Sequence, residues 1–414
     1  MSVRVKTIKS IDLFAGCGGL MEGFEASRLY TTLAAVEWEK APCENLKKRL
    51  EEKWQYKNAE DIVLRFDIQR TQELFSGWSD EDYGTSKGLD YIIEKNKGID
   101  VIIGGPPCQA YSIAGRVRDE HGMRNDYRNY LFESYLEVVK RYRPKLFVFE
   151  NVPGLLSAKP GDRYIVDIIK EKFDEAGYQI LNDLKKATID FTEYGVPQNR
   201  KRIIIIGLDK FSFQSSEKLL EEFYKEILPR YKSQEVSTVR DAIGDLPKLF
   251  PINYDIKFKG KRTSYTLPEP FVCNHIGRWH SERDKKVFKL LTQDIESGRN
   301  EYTSTQSLRA LYKEITGRDS NVHKYYVLRW NQPSNLIPAH LYKDGLRHIH
   351  PDSQQVRTIT VREAARLQTF SDDYIFLGSN TETYKMIGNA VPPLFSQKLA
   401  LAIKEFLEKY SNII

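Results

Sequence analysis

The chain has 414 residues, 41% of them apolar and 29% charged, with a formal net charge of +6. This length and apolar share suit an ordinary soluble globular protein of two or three domains, and no apolar run approaches the roughly 18 residues of a membrane-spanning helix. Met1 to Lys6 leads into a strand without a signal-type apolar core, so a cytoplasmic protein is expected, and the four widely spaced cysteines indicate neither a disulfide framework nor a Cys-rich zinc site.

In chain order, Thr7 to Phe14 reads as a strand, Ala15 to Leu20 as a glycine-rich turn, and the residues beyond as a helix. Such a turn lets a ligand approach the backbone. It is not the dinucleotide fingerprint, because Met21 stands where the third glycine would fall, and a nicotinamide enzyme is disfavoured. A second strand, Leu33 to Val36, ends at Glu37-Trp38, near the spacing at which nucleotide-binding folds bring an acid to ribose hydroxyls. Glu37 is thus a candidate ribose ligand and Trp38 an adenine-packing wall, although either alone would pass for a surface acid or a core aromatic. A third strand, Ile62 to Phe66, stops at Asp67-Ile68, and residues 69–98 read as a helical or looped excursion.

Ile99 to Ile103 is short, apolar and β-branched, and two glycines end it, so a buried strand opens into Pro106-Pro107-Cys108-Gln109. Prolines pre-set the backbone before Cys108, and ligands of open α/β sheets bind beyond such strand ends. A lone cysteine is more often a small buried apolar side chain than a nucleophile, so the case for Cys108 depends on its companions. Ser112 to Arg128 is a Gly-, Arg-, Asp- and Asn-rich loop of a length usual only where it is functional.

Leu131, Tyr135, Val138 and Val139 recur at helical spacing before Pro144. Leu146 to Phe149 reads as a buried strand ending in Glu150-Asn151, residues 163–176 as a helix, and Gln179 to Lys185 as an edge strand. Gln198-Asn199-Arg200-Lys201-Arg202 then leads into a strand at Ile203 to Gly207. The alternation predicts an α/β fold with one mostly parallel sheet and helices on both faces. Beyond Leu208 the rhythm breaks: residues 209–358 hold 8 of the 17 prolines and no sustained period of 2 or 3.6. Within them, residues 251–350 carry 17 Lys/Arg against 10 Asp/Glu, which fits either a surface facing a polyanion or a solvated basic face. A helical pattern returns at Thr360 to Thr369, and Gly388 to Pro393 introduces a last helix, Leu394 to Tyr410. The expected division is 1–208, 209–358, a connecting segment 359–384, and 385–414 returning to the first domain. Cys273, His275 and His280 invite a zinc reading, but three ligands without a fourth leave no metal expected.

Taken together, Asp12-Leu13-Phe14-Ala15-Gly16-Cys17-Gly18-Gly19, Pro106-Pro107-Cys108-Gln109, Glu150-Asn151-Val152, Gln198 to Arg202, Arg362 to Gln368 and Gly388-Asn389-Ala390-Val391-Pro392 resemble the DNA (cytosine-5) methyltransferase family, across nearly the whole chain and in family order. One departure is Ser371 after Phe370, where the family usually has proline. The resemblance implies a Rossmann-like S-adenosylmethionine-dependent methyltransferase sheet plus a smaller, irregular target-recognition domain, here the basic segment. Carbon 5 of cytosine is too electron-poor to attack a methyl donor until a nucleophile adds at carbon 6, and a thiolate can both add and leave.

The resemblance further implies that Cys108 makes this addition and that a protonated Glu150 holds the ring's nitrogen 3 and amino edge. Asn151 would fix the Glu150 loop, Arg202 would meet the ring carbonyl or Glu150, and Arg200 would serve phosphate or loop contacts. For S-adenosylmethionine it implies Phe14 on adenine, Gly16, Gly18 and Gly19 at the amino-acid end, Glu37 on the ribose with Trp38 beside it, and Asp67 and Ile68 bordering the adenine. Gly105, Leu131, Asn389 and Val391 would complete that pocket. Gln109 and Ser112 would contact DNA around a flipped-out base. The implied partner is duplex DNA, bound by a monomer, with a restriction endonuclease as functional counterpart in a prokaryotic cell. An RNA cytosine-5 methyltransferase and a non-catalytic DNA-binding homologue are the alternatives. Transfer to an exocyclic nitrogen is disfavoured because Gly105 and Cys108 flank the prolines.

Overall fold

A computed structural model describes residues 7–107, 131–159, 162–320, 325–343 and 345–411. The sequence expectations for Cys108, Gln109, Ser112 and the arginine-bearing loop lie outside the described residues. The strands of the first half are β1 (Ile8–Leu13), β2 (Tyr30–Glu37), β3 (Val63–Arg65), β4 (Trp78–Asp80), β5 (Gly84–Ser86), β6 (Val101–Gly104), β7 (Leu146–Asn151), β8 (Tyr178–Gln179), β9 (Thr188–Asp190) and β10 (Lys201–Asp209). Eight of them form one sheet in the order β3-β2-β1-β6-β7-β10-β8, with β9 also on β10. The five from β3 to β7 are parallel, and β10 runs antiparallel to β7. The α/β fold expected from the alternating pattern is therefore present. Its central strands are legible as continuous apolar runs because both faces are buried, as in Val101–Gly104 and Leu146–Phe149.

Strand register decides what the sheet can display. Leu13 pairs with Val36 on one side and Gly104 on the other, Val36 pairs with Leu64, and Gly104 pairs with Phe149. Five parallel strands thus reach one common line, and the next residue on each is Phe14, Glu37, Arg65, Gly105 or Glu150. On the antiparallel neighbour Ile204 pairs with Glu150, so Arg202, two residues away, is the diagonal neighbour of Glu150 on the same face.

The carboxyl-terminal helix Pro393–Tyr410 packs on the first helix, Gly19–Ala26, at nearly backbone distance. A Cβ at Gly23 would stand 2.4 Å from the Gln397 nitrogen, and one at Gly19 would stand 2.3 Å from the Val391 carbonyl oxygen. These glycines let chain ends remote in sequence meet beside the first turn.

Three expectations are corrected. The edge strand placed at Gln179 to Lys185 is only the two-residue β8, followed by a 3-10 turn, Leu184–Ala187, and then by β9. Residues 209–358 are not aperiodic: they hold helices Glu282–Glu296 and Thr305–Thr316 and the hairpin β11 (Pro251–Phe258) and β12 (Lys261–Tyr265). Compact packing divides the chain elsewhere than at 208, into Met1–Gly195, Arg200–Gln234 and Ala390–Ile414 as one unit and Val196–Asn199 and Glu235–Asn389 as the other.

The second unit has a polar core. Arg357 donates two hydrogen bonds to Glu363, at 2.6 and 2.7 Å, and Thr360 caps the helix Val361–Leu367 in a reciprocal box with the same Glu363. His275 bonds Thr360 and the Pro247 carbonyl at 2.9 and 2.8 Å, which occupies both ring nitrogens, and His280 bonds Thr358. Burial pushes the imidazoles down, to about 3 for His280 and His350 and about 4 for His348. Burial alone would raise the Glu363 carboxyl, but Arg357 and His350 hold it below the ordinary range. Both shifts have one sign for stability: the unfolded chain takes up protons first, the histidines below pH 6.5 and the carboxyl below about 4.5, so stability present at neutral pH is lost on acidification. Urea unfolding should therefore show stability falling from pH 6.5 to pH 5, each buried imidazole contributing up to about 1.4 kcal/mol per pH unit, and His350→Gln should flatten that slope.

Candidate active site

The common line of strand ends assembles most of the residues singled out in the sequence. Glu150 closes β7 with its side chain largely buried, and its Oε1 accepts from Arg202 Nε at 2.9 Å. On its other side stands Gly105, where a Cβ would lie 2.7 Å from Glu150 Oε2. Any side chain at 105 would displace the carboxylate, so the glycine that ends β6 is what admits it. Asn151 is buried, with its Oδ1 accepting the Val152 N–H at 2.8 Å and its Nδ2 directed to the Pro106 carbonyl at 3.4 Å. This side chain ties the tip of β7 to the loop that leads to Cys108.

Two opposed effects act on Glu150. Burial raises its carboxyl above the usual range, while the guanidinium groups of Arg202 and Arg200 pull it down, and burial prevails. Arg200 is itself fully buried and donates from Nη2 to the Ala390 carbonyl at 3.0 Å. It makes a loop contact from the interior, and so is not an exposed phosphate ligand. Its own basicity is lowered by burial and by Arg202.

Across β1, Glu37 is buried at the end of β2 and accepts the N–H groups of Gly16, Trp38 and Glu39 at 2.9, 2.9 and 2.8 Å. Burial nevertheless raises its carboxyl. The glycine turn and the acid are thereby one assembly. Gly16 has positive φ and nothing within 4 Å of where a Cβ would be, Gly18 caps the helix in the left-handed region, and Phe14 takes φ of 59°, unusual for a bulky residue. Trp38 is 52% exposed, Ile68 and Leu131 are buried, and Asp67 accepts the Gln69 N–H at 3.0 Å. Val391 packs its backbone on Gly19, whereas Asn389 ends the helix Asn380–Asn389 of the second unit.

One residue quoted in the sequence had no role assigned to it. Asp12, on β1, is buried, and the donor that bears on its carboxylate is the backbone N–H of Met21 in the first helix. Burial raises its carboxyl strongly, with the nearby Glu37 carboxylate adding to it and the Met21 N–H opposing it. The signal was an ionisable residue within the apolar run Ile11-Asp12-Leu13, where a buried parallel strand has no structural use for charge.

The fold resembles that of a solved protein described provisionally as a DNA modification methyltransferase from an E. coli prophage, with a TM-score of 0.65 over 97% of this chain and 100% of that one at 22% identity. The family of C-5 cytosine-specific DNA methylases matches residues 8–405, and the chain belongs to that family. It is accordingly a DNA (cytosine-5) methyltransferase. Among similar proteins are the type II methyltransferase M.Bpa9945I of Bacillus paralicheniformis, 34% identical over 96% of this chain and 98% of that one, and M.DdeI of Desulfomicrobium norvegicum, 32% identical over 97% and 90%.

Removing the cation that faces Glu150 leaves only Arg200 to oppose burial. Arg202→Met should therefore raise the Glu150 pKa further, which carboxyl-carbon NMR of the labelled protein would follow. An unchanged titration would mean that the pair does not set the protonation of this group.

Proposed function

We propose that the chain transfers a methyl group from S-adenosylmethionine to carbon 5 of a cytosine turned out of duplex DNA, through a covalent bond to Cys108. The family and the fold imply S-adenosylmethionine, which when bound supplies an electrophilic methyl group. The glycine turn supports this reading. Gly16 leaves open space at the backbone, and Glu37 is an acid at the end of β2 suited to ribose hydroxyls. Phe14, Trp38, Asp67, Ile68, Leu131, Gly18, Gly19, Gly105 and Val391 would complete the pocket.

Cytosine inside a duplex exposes neither face, so the base must leave the stack before a nucleophile can reach carbon 6. Cys108 adds there as thiolate, and the electron pair displaced onto nitrogen 3 is met by a proton from Glu150. The ring is then an enamine, nucleophilic at carbon 5. After methylation a base removes the carbon 5 proton as the thiolate departs, and the nitrogen 3 proton returns to Glu150. Arg202 orients Glu150, and Asn151 keeps the two loops together. Gln109 and Ser112 would contact the DNA around the vacated space, and residues 209–358 would read base edges.

The observation that carries this reading is Glu150: a buried carboxyl with raised pKa, held by Arg202 and abutting Gly105 three residues before the cysteine. A general acid needs its proton at neutral pH, and burial favours that form. In this reading the enzyme acts as a monomer in a prokaryotic cytoplasm and protects host DNA from a cognate restriction endonuclease.

Glu150→Gln keeps the shape but cannot donate the proton, and methyl transfer should fall by about 10²- to 10⁴-fold. Loss of DNA binding without loss of turnover would contradict that role. Duplexes carrying 5-fluorocytosine at the target cannot lose fluorine as a cation, so with S-adenosylmethionine they should remain attached to the protein through denaturing electrophoresis. Cys108→Ser should abolish both the attachment and methyl transfer; methylation that survives the substitution would sink the covalent route.

A further inference from the structure

The second unit carries an exposed cluster that the chemistry above does not use. β11 and β12 form an antiparallel hairpin closed by Lys259-Gly260, both with positive φ, as a two-residue turn of type I′ requires. Between the pairs Pro251↔Tyr265 and Ile256↔Thr263 the register slips, so residues 252–255 of β11 stand opposite Ser264 alone. A bulge of this kind re-aims side chains. It leaves Tyr254 66% exposed and presents Asp255 to Arg262 of the opposite strand.

Arg262 donates from Nε to Asp255 Oδ2 at 2.8 Å and from Nη2 to the same oxygen. Its guanidinium carbon lies 4.5 Å from the ring centroid of Trp279, and the Trp279 indole N–H donates to the other Asp255 oxygen at 3.0 Å. Two strands and a loop therefore fix one arginine that remains 62% exposed, and among the described residues its Nη1 has no partner. Ordinary surface ion pairs add little to the stability of a fold and leave long side chains mobile. Here the guanidinium is held before any ligand arrives, which lowers the ordering cost of binding. Lys257, Lys259 and Lys261 stand beside it, with Asp255 the sole acid between residues 250 and 268.

We propose that Arg262, oriented by Asp255 and Trp279, reads a guanine of the target sequence from the major groove. This rests on the reading of the chain as an enzyme of duplex DNA. A two-stranded ribbon fits the major groove, and a planar fork with free donors matches O6 and N7 of guanine. The flanking lysines supply phosphate contacts without sequence information.

The test compares wild type, Arg262→Ala, Arg262→Lys and Asp255→Ala on a pool of duplexes randomised around a cytosine and sequenced after bisulfite conversion. Wild type should require guanine at one or more positions. Arg262→Ala should lose discrimination at one such position, by roughly 5- to 150-fold, and keep the others. Arg262→Lys should resemble it, since one ammonium cannot make both contacts, and Asp255→Ala should weaken the same position. Thermal unfolding of Arg262→Ala should match wild type because the side chain is exposed. Full sequence preference in Arg262→Ala, or its restoration by lysine with only the salt dependence altered, would make Arg262 a phosphate contact and overturn the proposal. Wild type that methylates no duplex in the pool would overturn the catalytic reading and this one together.

Discussion

Five parallel strands ending on one line are the constraint from which the site follows. Register in a parallel sheet is set by side chains buried on both faces, and a slip of one residue would turn every buried Ile, Val and Phe towards the wrong layer. With Leu13, Val36, Leu64, Gly104 and Phe149 aligned, the next residue on each strand has no choice of level. Phe14, Glu37, Gly105 and Glu150 therefore each follow directly on a residue fixed in the backbone ladder, which gives them the rigidity a reacting centre needs.

The antiparallel β10 adds what a parallel neighbour could not. Running the other way beside β7, it brings Arg202 diagonally to Glu150 from the start of the strand. The resulting pair is a compromise between two demands. A buried carboxyl left alone would stay protonated but would be free to rotate, and a close ion pair in water would hold it fixed but ionised. At the end of β7, burial outweighs the two arginines, so the group is both held and biased towards its acid form. Gly105 belongs to the same compromise, because the carboxylate occupies the place of its missing side chain.

The central strands and the tips that carry the site were legible in the sequence because strong signals coincided there: apolar β-branched runs, glycines at their ends, and acids at three tips. Where the signals were weaker, the reading failed for physical reasons. β8 and β9 are too short for alternation to show. The helix Glu282–Glu296 was missed because Lys285, Thr292 and Asp294 lie on its buried face and interrupt the apolar stripe of Val287, Phe288 and Leu291. Asp294 is there to accept the N–H groups of Glu301 and Tyr302. Signals for both helices were nevertheless present, in the capping serines Ser281 and Ser304 and in Gly317 at the end of the second. Asp12 escaped differently: it was read as part of a motif, and only the structure shows it buried beside the first helix with a raised carboxyl.

Catalysis and recognition make different demands on backbone, and the two sets of residues sit on correspondingly different elements. The row at the strand ends belongs to a sheet in which a shift of any strand would unsettle its neighbours, so its residues are coupled. The arginine cluster sits on a two-stranded ribbon whose bulge and turn are local and whose face around Tyr254 is exposed. Substitutions on that face change which donors and acceptors meet a base edge without disturbing the polar core around Arg357 and Glu363. A specificity element built this way can vary while the chemistry stays constant, because the arginine's aim is set by hydrogen bonds within the hairpin and to Trp279 and not by the sheet that holds the reacting groups.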